Sequence, residues 1–395
     1  MTRRTPRFHA AAATALLLGS VLGQTEPAVA WHRLELPSVR GAMAPEVTAT
    51  SNGALLTWLE PVEATPGAFA LRLRPYRDGR FDEARSVTEG SSLFVNWADF
   101  PSAVVAGDGS WFVHWLRRGG RRQYGIELAH RPVDALGFTS LGHPHRVGIH
   151  GEHGFVSMLA EDAGVRIFWL DGRDYEEHKR MQLRCTTVVG DQFSDEQVLD
   201  PDVCTCCQTS AVMTAAGPLV VYRGHTGEEV RDILIVRRQG NGWTSPQTVA
   251  DDHWVVPGCP VNGPAVAVAG QHVTVAWYTG AKDGTGVRIA FSADAGATFA
   301  KPKWVDRNAP IGRVDIASTE RGFLLAWLAA DGDHVAVRTQ EWSVADGPGA
   351  VRDVARVQAS RDSGFPRLAA TPNGPLLVWT EASGICAARL GHLGR

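Results

Sequence analysis

Three cysteines fall within four residues in Val203-Cys-Thr-Cys-Cys-Gln-Thr209, and a fourth, Cys259, heads Cys259-Pro-Val-Asn-Gly-Pro264. Thiols spaced this closely have two chemistries. In an exported chain they usually close disulfides; as thiolates they hold a soft cation. Adjacent Cys206 and Cys207 are poorly suited to bond each other. A disulfide would therefore run from Cys259 to one of Cys204, Cys206 or Cys207. The metal alternative places copper or zinc on Cys204, Cys206, Cys207 and Cys259 with an imidazole from His150 or His153, although the spacing matches no standard zinc module. Between the two cysteine stretches lies a charged run: Arg223, His225, Glu228, Glu229, Arg231 and Asp232. Guanidiniums grip anions and carboxylates do acid–base work. The structural alternative is that these charges pair with one another.

Residues this far apart meet only if the fold gathers their loops, and a repeat supplies that fold. Seven apolar runs end in a bulky aromatic, Trp58, Trp115, Trp169, Tyr222, Trp277, Trp327 and Trp379, with gaps of 57, 54, 53, 55, 50 and 52 residues. A period this even marks one structural unit recurring around the molecule. Each unit reads as an inner strand, a Gly-containing turn, a second strand carrying the aromatic, a longer loop, and third and fourth strands. Short strands of this kind bury their apolar faces only when four-stranded sheets stack radially. The expectation is an all-β chain forming a β-propeller of seven four-stranded blades; six blades, or two packed sandwiches, are the alternatives. The seventh unit stops after its third strand, near Ile385-Cys-Ala-Ala-Arg389. Trp31-His-Arg-Leu-Glu-Leu36 is an orphan fourth strand, expected to pair with the last blade and close the ring.

In a propeller, the loops leading into inner strands share one face with the loops joining second and third strands. Sorting by this rule gathers His150, His153, Cys204, Cys206, Cys207 and Cys259 with the charged run in one sector of that face. Trp97 and Trp254, both in lead-in loops, are candidates to stack on a ligand. Cys185 and Cys386, on third strands of different blades, should be small unbridged core residues. Asp315 beside Arg313 suggests a structural ion pair, and the acidic run from 171 to 177 a solvated loop.

Ser292-Ala-Asp294-Ala-Gly296-Ala-Thr298-Phe299 matches the Asp box, Ser-x-Asp-x-Gly-x-Thr-Trp/Phe, of bacterial neuraminidase repeats. The chain therefore resembles the sialidase-like propeller superfamily. The cysteine stretches, with Arg231-Asp-Ile233 and Gly312-Arg-Val-Asp315, resemble an exported bacterial group usually labelled exo-alpha-sialidase. The resemblance implies a propeller that binds or hydrolyses a glycan or related anionic ligand. That family uses an Arg triad, a Tyr nucleophile with a Glu partner, and an Asp acid/base. The early Arg-Ile-Pro motif of the family is absent, and the last repeat has no Tyr. If the chain is hydrolytic, the candidates are Arg223 and Arg231 for the anion, Glu228 or Asp232 for acid–base work, and Tyr278 as nucleophile.

Composition sets the outer bounds. A net charge of −3 does not suggest a nucleic-acid partner. Arg3, Arg4 and Arg7, a short apolar stretch and Ala28-Val29-Ala30 read as a secretory signal peptide over residues 1–30. Residues 31–395 then form a single propeller domain, periplasmic or extracellular, with no membrane span, expected to be a monomer. The remaining functional readings are a non-catalytic copper- or zinc-binding propeller and an interaction scaffold.

Overall fold

The computed structural model describes Met1 and residues 29–392; the basic and apolar parts of the expected signal peptide lie outside them. Seven antiparallel sheets form a ring. Their inner strands are Met43–Thr50, Ser102–Val105, His153–Ala160, Ser210–Thr214, Ala265–Ala269, Pro310–Thr319 and Gly364–Ala369. Each inner strand touches the next, and the last touches the first. In the seventh blade the order is inner strand, Leu376–Glu381, Gly384–His392, and then Val29–Leu34 from the other end of the chain. Trp31 pairs with Leu390 and Leu34 with Ala387. The expected closure by an N-terminal strand is found, with the strand beginning two residues ahead of Trp31. Among the described residues, no helix is long and apolar enough to cross a membrane.

The repeat aromatics are all buried, and their polar tips explain how. A buried indole N–H must find an acceptor. Trp58, Trp169 and Trp379 donate to Glu60, Asp171 and Glu381, two residues further along the same strand, at 2.8–2.9 Å. Trp277 and Trp327 instead donate to Asp252 and Asp306 from preceding blades at 2.7 and 2.8 Å. The Tyr222 hydroxyl takes the equivalent place, donating to Asp200 at 2.7 Å. Arginines complete several of these clusters: Arg72 on Glu60, Arg173 on Asp171 and Arg338 on Asp306. Asp171 is thus a buried core residue rather than the start of a solvated loop; only Tyr175–His178 further along forms a short helix with no buried residue.

The Asp box folds as its chemistry dictates. Asp294 Oδ1 accepts from the Thr298 N–H at 2.9 Å, and Gly296 sits at φ +84°. A Cβ on Gly296 would lie 2.3 Å from Leu219 of the neighbouring blade. Cys185 and Cys386 are buried and unbridged, as expected for small core residues.

Inner strands meet around a central cavity of about 310 Å³. Its lining includes Glu46, Asp99, Asp315 and Arg367. Arg367 pairs with Glu46 at 3.1 Å, while Asp315 accepts from the Leu368 N–H at 2.7 Å. The expected Arg313–Asp315 ion pair does not form. Arg313 takes a left-handed conformation at a bulge in the inner strand, so it and Asp315 leave the backbone toward different partners.

Candidate functional site

At the mouth of the cavity, lead-in loops from several blades are tied together through side chains and backbone. Gln208 donates to the Ala98 carbonyl at 2.6 Å and accepts from the Gly263 N–H at 3.1 Å, linking three blades. Asp99 accepts from the Phe155 N–H at 2.8 Å. Asn262 Oδ1 accepts from the Arg313 N–H at 2.7 Å. That last bond needs a glycine beside it: Gly312 has φ +91°, and a Cβ there would lie 2.3 Å from Asn262 Oδ1.

Arg313 is the unusual charge of this mouth. Its guanidinium stacks over Trp97 at 4.5 Å and Phe365 at 4.9 Å. Among the described residues no carboxylate pairs with it, and its Nη1 is buried with no hydrogen-bond partner. Burial pushes its pKa down to about 10, with Cys207 acting in the opposite sense. Trp97 is half-buried. Tyr278 lies against the same loop, its Cβ 2.8 Å from where a Cβ on Gly312 would sit.

The residues expected to grip an anion are placed differently. Arg223 is 2% exposed. It donates to the carbonyls of Asn262 (3.0 and 2.8 Å), Arg231 (2.6 Å) and Tyr278 (2.8 Å) and lies over the Trp254 ring. Trp254 is itself buried, so of the two tryptophans only Trp97 keeps surface at the mouth. Arg231 donates to the Val256 carbonyl at 3.0 Å, to Glu229 at 2.5 Å and to Cys204 Sγ at 3.3 Å. Asp232 accepts from the N–H groups of His253 and Trp254. Glu228 is exposed. Arg231–Glu229 is the internal pairing that was the structural alternative for the charged run.

The cysteines do converge. The Sγ atoms of Cys204, Cys206 and Cys207 lie within 4.8 Å of one another, with Cys204 and Cys207 at 3.1 Å. The Cys259 thiol interacts with that of Cys206. No disulfide joins any of these cysteines. Hydrogen bonds from Cys206 and Cys207 hold Cys204 well below the ordinary thiol range, and Arg223 adds to this. The Cys206 contact lowers Cys259 to about 6. Burial, with the Cys204 contact, raises Cys207 to about 12.

His150 and His153 do not belong to the thiol group. His153 is fully buried, bonded to the His150 carbonyl at 2.7 Å and 3.2 Å from Asp171. It stacks on His145 at 4.0 Å. Their loop supports the join between blades two and three. The sequence offered Arg313 as one of several cationic candidates and paired it with Asp315; what sets it apart, a buried Nη1 with no hydrogen-bond partner on the face of Trp97, is visible only in the fold.

The architecture is similar to that of a PL25 ulvan lyase bound to -[GlcA(1-4)Rha3S]-, with a TM-score of 0.54 and 12% identity over 91% of this chain and 96% of that one. It is similar to a GH93 alpha-L-arabinofuranosidase of Fusarium graminearum in complex with arabinobiose, with a TM-score of 0.51 and 11% identity over 91% and 97%. A Hadza microbial sialidase aligns with a TM-score of 0.52 and 10% identity over 83% and 74%. Identities this low carry the fold alone. No protein-family model matches the sequence, and no curated protein matches it.

Proposed function

We propose that this propeller binds an acidic glycan or related anionic ligand at the mouth of the central cavity. The observation that carries this reading is Arg313, a guanidinium with no carboxylate partner among the described residues, held on the face of Trp97. A ligand carboxylate or sulfate would supply the missing acceptors in the forked geometry that a guanidinium favours. Trp97 and Tyr278 offer apolar surface to a sugar ring beside it. Fold neighbours that include a polysaccharide lyase, an arabinofuranosidase and a sialidase support the ligand class. The expected signal peptide would bring the protein to where such glycans occur.

Hydrolysis is the narrower form of the reading. Glu228 and Tyr278 are its candidates for acid–base and nucleophilic work. Arg223, Arg231 and Asp232 serve it indirectly, by holding the loops that carry them.

Binding to immobilised acidic and neutral glycans, with an aryl-glycoside panel that includes sialosides, tests both forms. Acidic glycans should bind in preference to neutral ones. Arg313→Gln should weaken that binding by roughly a hundredfold and Trp97→Ala by roughly tenfold, about 2.8 and 1.4 kcal/mol. Equal binding of acidic and neutral glycans, or binding unchanged in Arg313→Gln, would sink the reading. Turnover of any member of the panel by wild type, lost in Glu228→Gln, would establish the hydrolytic form.

A further inference from the structure

We propose that Cys204, Cys206 and Cys207 form a thiolate site for monovalent copper, with Cys259 as the exposed thiol through which the ion is exchanged. This inference does not depend on ligand binding at Arg313.

Geometry is the first argument. Three sulfurs within 4.8 Å of one another can converge on one ion. All three come from four consecutive residues, so a single loop supplies them. A planar, three-coordinate soft ion needs no more than such a trio, whereas zinc in structural sites takes four tetrahedral ligands. Cys259, on the neighbouring blade, is the exposed member of the set and interacts with Cys206. Ions held by soft ligands move by stepwise exchange, and an accessible thiol next to a buried trio provides the step.

The loops that carry these sulfurs are fixed before any ion arrives. Cys204 N–H donates to the Arg223 carbonyl at 3.0 Å. The loop that leads to Cys259 is fastened to the charged run by Arg231 N–H to Trp254 O at 2.9 Å and Val256 N–H to Glu229 O at 3.0 Å. A preformed trio avoids the ordering cost of assembling ligands from a mobile loop.

Charge is the second argument. Copper(I) on three thiolates is a dianion, and burying it requires positive charge nearby. Arg231 Nη1 lies 3.3 Å from Cys204 Sγ. Arg223 acts on both Cys204 and Cys207, and Arg313 on Cys207. Of these three guanidiniums, only Arg231 has a carboxylate partner among the described residues. Sulfur, not oxygen, is the anionic atom that the sector offers to the other two.

The test uses the full chain purified under reducing, anaerobic conditions and titrated with Cu(I) against a competing chelator. Wild type is expected to retain copper. Cys206→Ser and Cys207→Ser should each weaken retention by roughly tenfold or more, since losing a direct ligand should cost at least as much as losing a group that only orients one. Cys259→Ser should retain copper but exchange it more slowly, and Cys185→Ala, remote in the core of blade three, should match wild type. Circular dichroism on each variant separates loss of the site from loss of the fold; Cys206→Ser or Cys207→Ser that stays folded and binds as wild type does would overturn the proposal. So would wild type that retains no copper with its thiols reduced, zinc that copper cannot displace, or a Cys204–Cys207 disulfide that persists under reductant.

Discussion

At the scale of single residues, Arg223 and Arg313 illustrate how differently two arginines can be used. Arg223 is a structural strut: its donors meet carbonyls from residues 8, 39 and 55 positions away. Replacing it with alanine leaves those carbonyls without donors inside the protein, and unsatisfied buried polar groups are costly. Arg223→Ala should lose about 3 kcal/mol of stability, read by chemical denaturation; a loss under about 1 kcal/mol would mean that solvent replaces the missing donors. The charged run was visible in the sequence, but its division of labour was not. Whether an arginine faces a ligand or a carbonyl depends on chain brought in from other blades. The cysteines were easier to place, because three of the four fall within four residues and the repeat period puts the fourth at the equivalent point of the next blade.

At the scale of elements, the closing strand and the mouth loops do different work. Val29–Leu34 covers the edge of Gly384–His392, an edge that would otherwise present unpaired backbone groups. A chain starting after residue 34 should unfold at lower temperature and associate through that edge, visible as concentration-dependent light scattering. If it melts like the full chain and stays monodisperse, the strand is dispensable. Gly312 is the corresponding test of the mouth. Gly312→Ala forces a Cβ into Asn262 Oδ1 at a left-handed φ, which should cost roughly 1–3 kcal/mol. It should also weaken acidic-glycan binding, because Arg313 is held by the same turn. Four-stranded units were legible from turn and aromatic spacing. The bulges that reverse the aim of Arg313 were not, since they reflect a local left-handed conformation at residues of no special type.

At the scale of the whole molecule, the ring buries acids at its axis. Burial raises Asp99 from its ordinary value of 3.8 to about 7, against the opposing Phe155 N–H and Arg367. Burial likewise raises Glu46 to about 7. In the unfolded chain both groups ionise near their ordinary values, so between about pH 4 and pH 7 the folded state binds more protons. Their contribution to stability is therefore full below about pH 4 and is lost as pH rises through 7, by up to about 1.4 kcal/mol per group per pH unit. Asp294, lowered to about 2 by hydrogen bonds from Thr298, acts in the opposite sense at the acid end. Wild type should lose stability between pH 5 and about 7, and Asp99→Asn should flatten that slope while keeping the acceptor for Phe155. An unchanged slope in Asp99→Asn would show that the axial acids are ionised in the folded chain.

The amino-acid sequence by itself determined the number of blades, the closure of the ring by its N-terminal strand, the hairpin at Ser292–Phe299 and the gathering of four thiols in one sector. All of these follow from local periodicity, from turn chemistry, or from the arithmetic of an even repeat. Only the tertiary structure decided which charges face carbonyls, which acids cap the repeat aromatics and that Arg313 lies on Trp97 with a buried Nη1 that has no hydrogen-bond partner. Those outcomes depend on contacts between residues tens of positions apart, and a bulge or left-handed turn of one residue redirects the side chain that makes them.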